Sequence, residues 1–195
     1  MAFTMPAWKS ARRRTATLVA VFWLAAVSAA VDAAEFGIAT FESRFDDRLL
    51  VADARIDYSL SGTAIEALES GVDLVIVQRL VLEQPRWWWR DVQVVDQHRR
   101  YRLAYHAISR RYVLNRLASG DSRSFRSLDA LLMQLGEVEA WPVIRRDRLE
   151  PERDYRLNLE TRLDVDALPR LLRTVAWTDT DWQLRSGTQT LEVRP

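Results

Sequence analysis

Thr63-Ala64-Ile65-Glu66-Ala67-Leu68-Glu69-Ser70-Gly71, continued by the apolar run Val72 to Leu82, is the stretch that decides the fold. Its first half reads as a helix. Thr63 and Glu66 have the spacing of a capping box, in which the Thr hydroxyl accepts from the Glu66 N–H and Glu66 reaches back. Gly71 closes the helix in the left-handed conformation that a C-terminus favours. The second half reads as a strand. Leu74 to Val77 are apolar on both faces, which predicts a central strand covered twice, and Gln78, Arg79 and Glu83 return it to half exposure. Pro85 ends the run before the block Arg86-Trp87-Trp88-Trp89-Arg90-Asp91. Two further strands, Tyr101 to Ala107 and Arg111 to Leu114, follow the charged segment Asp96 to Arg100, which reads as a turn.

Outward from this run, the same two periodicities recur. Before it, Leu50, Ala52, Ala54, Ile56, Tyr58 and Leu60 alternate with Val51, Asp53, Arg55, Asp57 and Ser59, the period of two of a half-buried strand. Asp46-Asp47 and Ser119-Gly120-Asp121 are turns. After it, Leu128, Leu131, Leu132 and Leu135 form one helical stripe that starts near Ser127 and stops at Gly136. Trp141 to Ile144 contains Pro142 and therefore suits an edge strand. Tyr155 to Val165 alternates most cleanly of all. Asp166 to Leu172 is a helical turn interrupted by Pro169, and strands at Trp182 to Leu184 and Leu191 to Val193 end the chain. Many short strands with two or three short helices predict a mainly β fold, an antiparallel β-sandwich or open barrel.

The first residues are of another kind. Lys9 and Arg12 to Arg14 precede 17 uncharged residues, Thr15 to Val31, that end in small residues around Asp32-Ala33-Ala34. Residues 1–33 therefore read as a signal peptide or membrane anchor, and residues 34–195 as a single β-rich domain. The expected location is the periplasm, free or anchored to the inner membrane. Of the 28 basic and 27 acidic side chains, those beyond residue 33 number 24 and 26, so the domain has no surplus to neutralise phosphates along a nucleic acid. The absence of cysteine excludes disulfides, thiolate metal sites and thiol nucleophiles.

Candidate chemistry is sparse. In the block Arg86, Trp87, Trp88, Trp89, Arg90, strand alternation sends Trp87 and Trp89 to one face and Trp88 to the other, so one core layer cannot take all three. A binding surface of tryptophans flanked by cations follows: a contact with lipid, glycan or protein. The alternative is two core tryptophans and one lying under an arginine. His98 and His106 are the only histidines, too few for a zinc site. Asp46-Asp47, Asp164-Val165-Asp166 and Asp179-Thr180-Asp181 lack the spaced oxygens of a calcium loop and suit turns and caps. Ser124 and Ser186 lack nucleophile-elbow glycines. No metal, cofactor or catalytic set is expected.

Several motifs taken together resemble a known family. They are Glu66 to Val72, the spacing Tyr105…Ser109…Tyr112, Phe125-Arg126-Ser127-Leu128…Leu131, Leu163-Asp164…Leu168-Pro169 and Trp182…Ser186. In combination, from about Ile38 to Thr190, they are similar to the proteobacterial domain of unknown function 4390 family. Thr188 stands where the family pattern has an aromatic. The resemblance implies an exported or membrane-anchored protein with no established activity, often encoded beside a nitrogen-regulation-type sensor kinase. The reading is thus a non-enzymatic envelope domain that binds a protein partner, a sensor kinase's outer domain. The rival is a glycan- or lipid-binding module built on Trp87 to Trp89; an enzyme ranks below both.

Overall fold

Strands β1 (Phe36–Asp46) and β2 (Leu49–Tyr58) form an antiparallel hairpin around Asp47, which takes a φ of +52° at its tip. A third strand, β7 (Glu137–Arg145), pairs with the other side of β2 and completes a small sheet ordered β1-β2-β7. The second sheet has six antiparallel strands in the order β6-β5-β4-β3-β8-β9. Its members are β3 (Leu74–Gln84), β4 (Val92–His106), β5 (Arg111–Arg116), β6 (Ser122–Phe125), β8 (Tyr155–Leu163) and β9 (Gln189–Val193). The computed structural model describes residues 35–86 and 90–195, and these lie in one compact unit. The protein is mainly β, two antiparallel sheets with three short helices, as the pattern predicts.

The sheets share one apolar core. Leu50, Ala52, Ala54, Ile56 and Tyr58 of β2 face Leu74, Ile76, Leu80 and Leu82 of β3 and Leu157, Leu159 and Leu163 of β8. β1 lies against β9 at one side. At the other side Gln97 of β4 bridges to β7, donating to Val143 O at 3.3 Å and accepting from Trp141 Nε1 at 2.6 Å. β3 is central, as its continuous apolar run predicts. Its second face is covered by cross-strand neighbours rather than by a layer: Val75 and Val77 stand opposite Arg102, Arg100 and Arg162, whose aliphatic stems shield them.

The helices fill the ends. α1 (Gly62–Glu69) buries Ala64 and Leu68. α2 (Leu128–Gly136) follows Ser127, whose hydroxyl caps it by accepting from Ala130 N, and buries Leu131 and Leu135. Gly136 is tight against β2, since a Cβ there would lie 2.0 Å from Ile56 O. α3 (Arg170–Ala176) sits between β8 and β9. No helix of the described residues is long and apolar enough to cross a membrane.

Five local expectations are corrected. The α1 cap is Ser61, not Thr63: Ser61 Oγ accepts from Ala64 N, while Thr63 Oγ1 donates to Asp181 at 2.7 Å. Gly71 does close that helix, with a φ of +92°. Gln78 is fully buried rather than half exposed, because its amide serves Tyr58 and Leu135 inside the core. Asp96 to Arg100 is not a turn but part of the 15-residue β4, held in register by β3. Pro169 does not interrupt a helix but precedes α3 at its cap position. Trp182 to Leu184 is not a strand: a short 3₁₀ turn (Thr180–Trp182) buries Trp182, and only an isolated bridge, Arg162 to Arg185, follows.

Candidate functional site

The arginine–tryptophan block falls in the connection between β3 and β4, the two longest-paired strands of the large sheet. Pairing runs to Gln84 opposite Val92, so β3 and β4 are a hairpin and Pro85, Arg86, Arg90 and Asp91 lie beyond its last pair, at its tip. The tip is tied by Asp91, whose carboxylate accepts from the Arg86 N–H at 3.1 Å and lies 3.7 Å from Arg156 of β8. Arg86 and Arg90 are both exposed, and neither forms an ion pair among the described residues. The strand geometry thus brings the two cations to one end of the molecule. Trp87, Trp88 and Trp89, and with them the expected split of the three rings between two faces, lie outside the described residues.

A second surface is α3. Leu168, Leu172 and Ala176, spaced by four, turn toward the core, Leu168 and Ala176 buried and Leu172 packed against it. Beside that stripe Leu171 and Val175, also spaced by four, are 88% and 56% exposed, and Trp177 beyond the helix end is 62% exposed. Four of the seven residues of α3 are apolar, and of these Leu172 and Ala176 face the core while Leu171 and Val175 do not. Arg173 anchors it by donating to Leu168 O at 2.9 Å. In the sequence this site is masked by Pro169, which makes residues 166–172 look like a broken turn; the doubled i, i+4 stripe was the available signal. The start of α3 lies by residues 71–73 before β3, whereas the arginine tip lies beyond β3's far end. The length of β3, ten residue steps, separates them by roughly 34 Å.

The remaining candidates have structural roles. Asp164 is buried and pairs with Arg100. The Asp179 side chain caps the 3₁₀ turn by accepting from Asp181 N, and Asp181 receives the Thr63 hydroxyl. His98 is on β4, its Nε2 3.2 Å from Asp96. Asp96 belongs to an outer-face cluster in which Arg79 holds it through two hydrogen bonds, at 3.0 and 2.9 Å, and Glu160 through a third at 3.2 Å. That guanidinium keeps the Asp96 carboxyl below its ordinary range. The Tyr112 hydroxyl donates to Glu69 at 2.6 Å, and this bond, with burial, pushes its pKa up to about 12. Among the described residues no group of three or more His, Asp or Glu is placed to hold a metal ion.

No curated protein and no solved structure matches the chain. The family described as a domain of unknown function, DUF4390, matches residues 33–192, from ahead of β1 into β9. The motifs that carry the resemblance in the sequence sit inside this span, on α1, β4, β5, α2, β8 and the approach to β9, and the chain belongs to the DUF4390 family.

Proposed function

We propose that this protein is an exported, non-enzymatic envelope domain that binds a protein partner at the inner-membrane surface, the outer domain of a sensor kinase being the partner class. The observation that carries this reading is the set of exposed apolar side chains on α3 and at its C-terminal end, Leu171, Val175 and Trp177. Large apolar side chains exposed together, rather than singly, mark an interaction surface. Its surroundings carry both signs of charge, with Arg170 and Arg173 on the helix and Asp166 and Asp179 beside it. A mixed polar rim suits a protein interface, whereas an anionic lipid surface selects for unbroken positive charge. The basic, apolar and small-residue order of residues 1–33 supports export, and the family's frequent gene neighbour supports the kinase.

The test is in-cell crosslinking with recovery of the membrane fraction, using native bait and the variants Leu171→Asp and Trp177→Ala. Recovery of one envelope protein by native bait, lost with either variant at unchanged folded content, is the expected result. Equal recovery by all three baits removes α3 as the surface. The second reading, a lipid or glycan contact at the β3–β4 tip, is favoured by the two exposed cations Arg86 and Arg90. It expects Trp88→Ala, and not Trp177→Ala, to abolish retention on vesicles or peptidoglycan.

A further inference from the structure

The inner face of the large sheet carries three arginines at one mouth of the sandwich. Odd-numbered residues of β4 point inward: Tyr101 and Leu103 are buried in the core, and Arg99 shares their side. Arg116 of β5 stands directly opposite Tyr101, and Arg123 of β6 directly opposite the core residue Leu114. Directly paired residues share a face, so the three arginines step diagonally across β4, β5 and β6. With Gln134 of α2 and Glu137 and Glu139 of β7 they line a cavity of about 530 Å³.

These cations are held, but not neutralised. The Arg99 guanidinium lies 4.0 Å from the centre of the Trp141 ring, and that of Arg116 lies 5.6 Å from the Tyr101 ring. Arg123 donates to the Gln134 amide at 3.1 Å. Among the described residues none of the three forms an ion pair, although carboxylates share the cavity. Glu137 is taken by Arg55 at 2.8 Å, Asp121 accepts from the Ser119 hydroxyl, and Glu139 lies beyond ion-pair distance. Burial and the neighbouring Arg116 charge both disfavour a charged Arg99. The opposite wall is shaped by a distortion of β7. Ala140 adopts a φ of +42°, unusual for a residue with a side chain, and its N–H is fixed by Asp53 at 2.8 Å. The pairing shifts there, and Trp141 is delivered inward beneath Arg99.

We propose that this mouth is a binding site for a phosphate group. A single carboxylate would satisfy one guanidinium fork, whereas a phosphate offers several acceptor oxygens and more than one negative charge to cations that otherwise repel. The inference stands apart from the partner surface on α3. Two sources present the group, a free phosphorylated small molecule and a phospholipid headgroup.

Calorimetric titration of the full-length chain in non-ionic detergent distinguishes them, with inorganic phosphate as one titrant and a soluble short-chain phosphatidylglycerol as the other. The expected result is saturable one-to-one binding of phosphate, weakened about tenfold by Arg99→Gln or Arg116→Gln and unchanged by Arg185→Gln, an exposed control. Saturation by the lipid alone, lost in the same variants, upholds the site and assigns the headgroup as its source. No saturable binding of either titrant overturns the proposal. So does native affinity in the doubly substituted chain, once its thermal unfolding without ligand shows that it is folded. If Arg99→Gln fails to fold, the exposed Arg116→Gln alone decides by the same criterion.

Discussion

At the scale of single residues, the least expected feature is a polar knot in the middle of an apolar core. The Gln78 amide donates to the Tyr58 hydroxyl at 2.9 Å and to Leu135 O at 3.1 Å, and Thr161 Oγ1 lies 3.0 Å from the same hydroxyl. Tyr58→Phe deprives two buried groups of a partner and is expected to lower stability by about 1–3 kcal/mol, read from urea unfolding. Burial is the main cause that holds the Tyr58 pKa far above that of a free tyrosine. The folded chain therefore keeps this proton at pH values where the unfolded chain releases it. Its contribution is complete below about pH 10 and is lost as pH rises above that. Tyr58→Phe should accordingly flatten the fall of stability in the alkaline range, leaving the smaller part that belongs to Tyr112. The sequence hid this knot because Gln78 follows four apolar residues and looks like the point where a strand emerges into water. Arg99 was hidden for the converse reason: flanked by His98 and Arg100, it reads as solvated, yet the β3–β4 ladder fixes it on the core side.

At the scale of elements, two glycines separate what a helix needs from what its packing needs. Gly136 ends α2 with Ile56 O where a side chain would go, so Gly136→Ala forces the helix away from β2. A loss of about 1–3 kcal/mol or more is expected. Gly62, at the start of α1, has open space where a Cβ would stand, with no atom within 4 Å, and Gly62→Ala should be neutral or stabilise by up to about 1 kcal/mol. Thermal unfolding of the two variants side by side checks both signs. Ser61→Ala removes the true cap of α1 and should cost about 1 kcal/mol, whereas Thr63→Ala loses only an exposed bond to Asp181. Sequence periodicity made β2, α2 and β8 legible, since each buries one face and shows the other. It mislabelled Asp96 to Arg100, where pairing with β3, not local polarity, imposes the strand. It also mislabelled the cap of α1, because Ser61 and Thr63 both precede the apolar stripe and only the turn geometry chooses between them.

At the scale of the whole molecule, the two candidate surfaces lie at opposite ends of β3, and substitutions in them should not sense each other. The double variant Arg90→Ala with Trp177→Ala is expected to show a coupling in unfolding free energy no larger than about 0.5 kcal/mol. A larger coupling would mean that the ends communicate. The two-sheet architecture was legible as a class, but the order β6-β5-β4-β3-β8-β9 was not, because β3 finds its second partner some seventy residues further on, at β8. That long-range pairing has a consequence during synthesis. A nascent chain that has emerged only as far as β7 can form its local hairpins, but one edge of β3, Ile76 to Glu83, still has no partner. Until residues 155–163 arrive, that edge is open to any other strand, including that of a neighbouring chain on the same polysome. A ribosome stalled between β7 and β8 should therefore yield aggregates, and β3 needs guarding until the closing part of the message has been read.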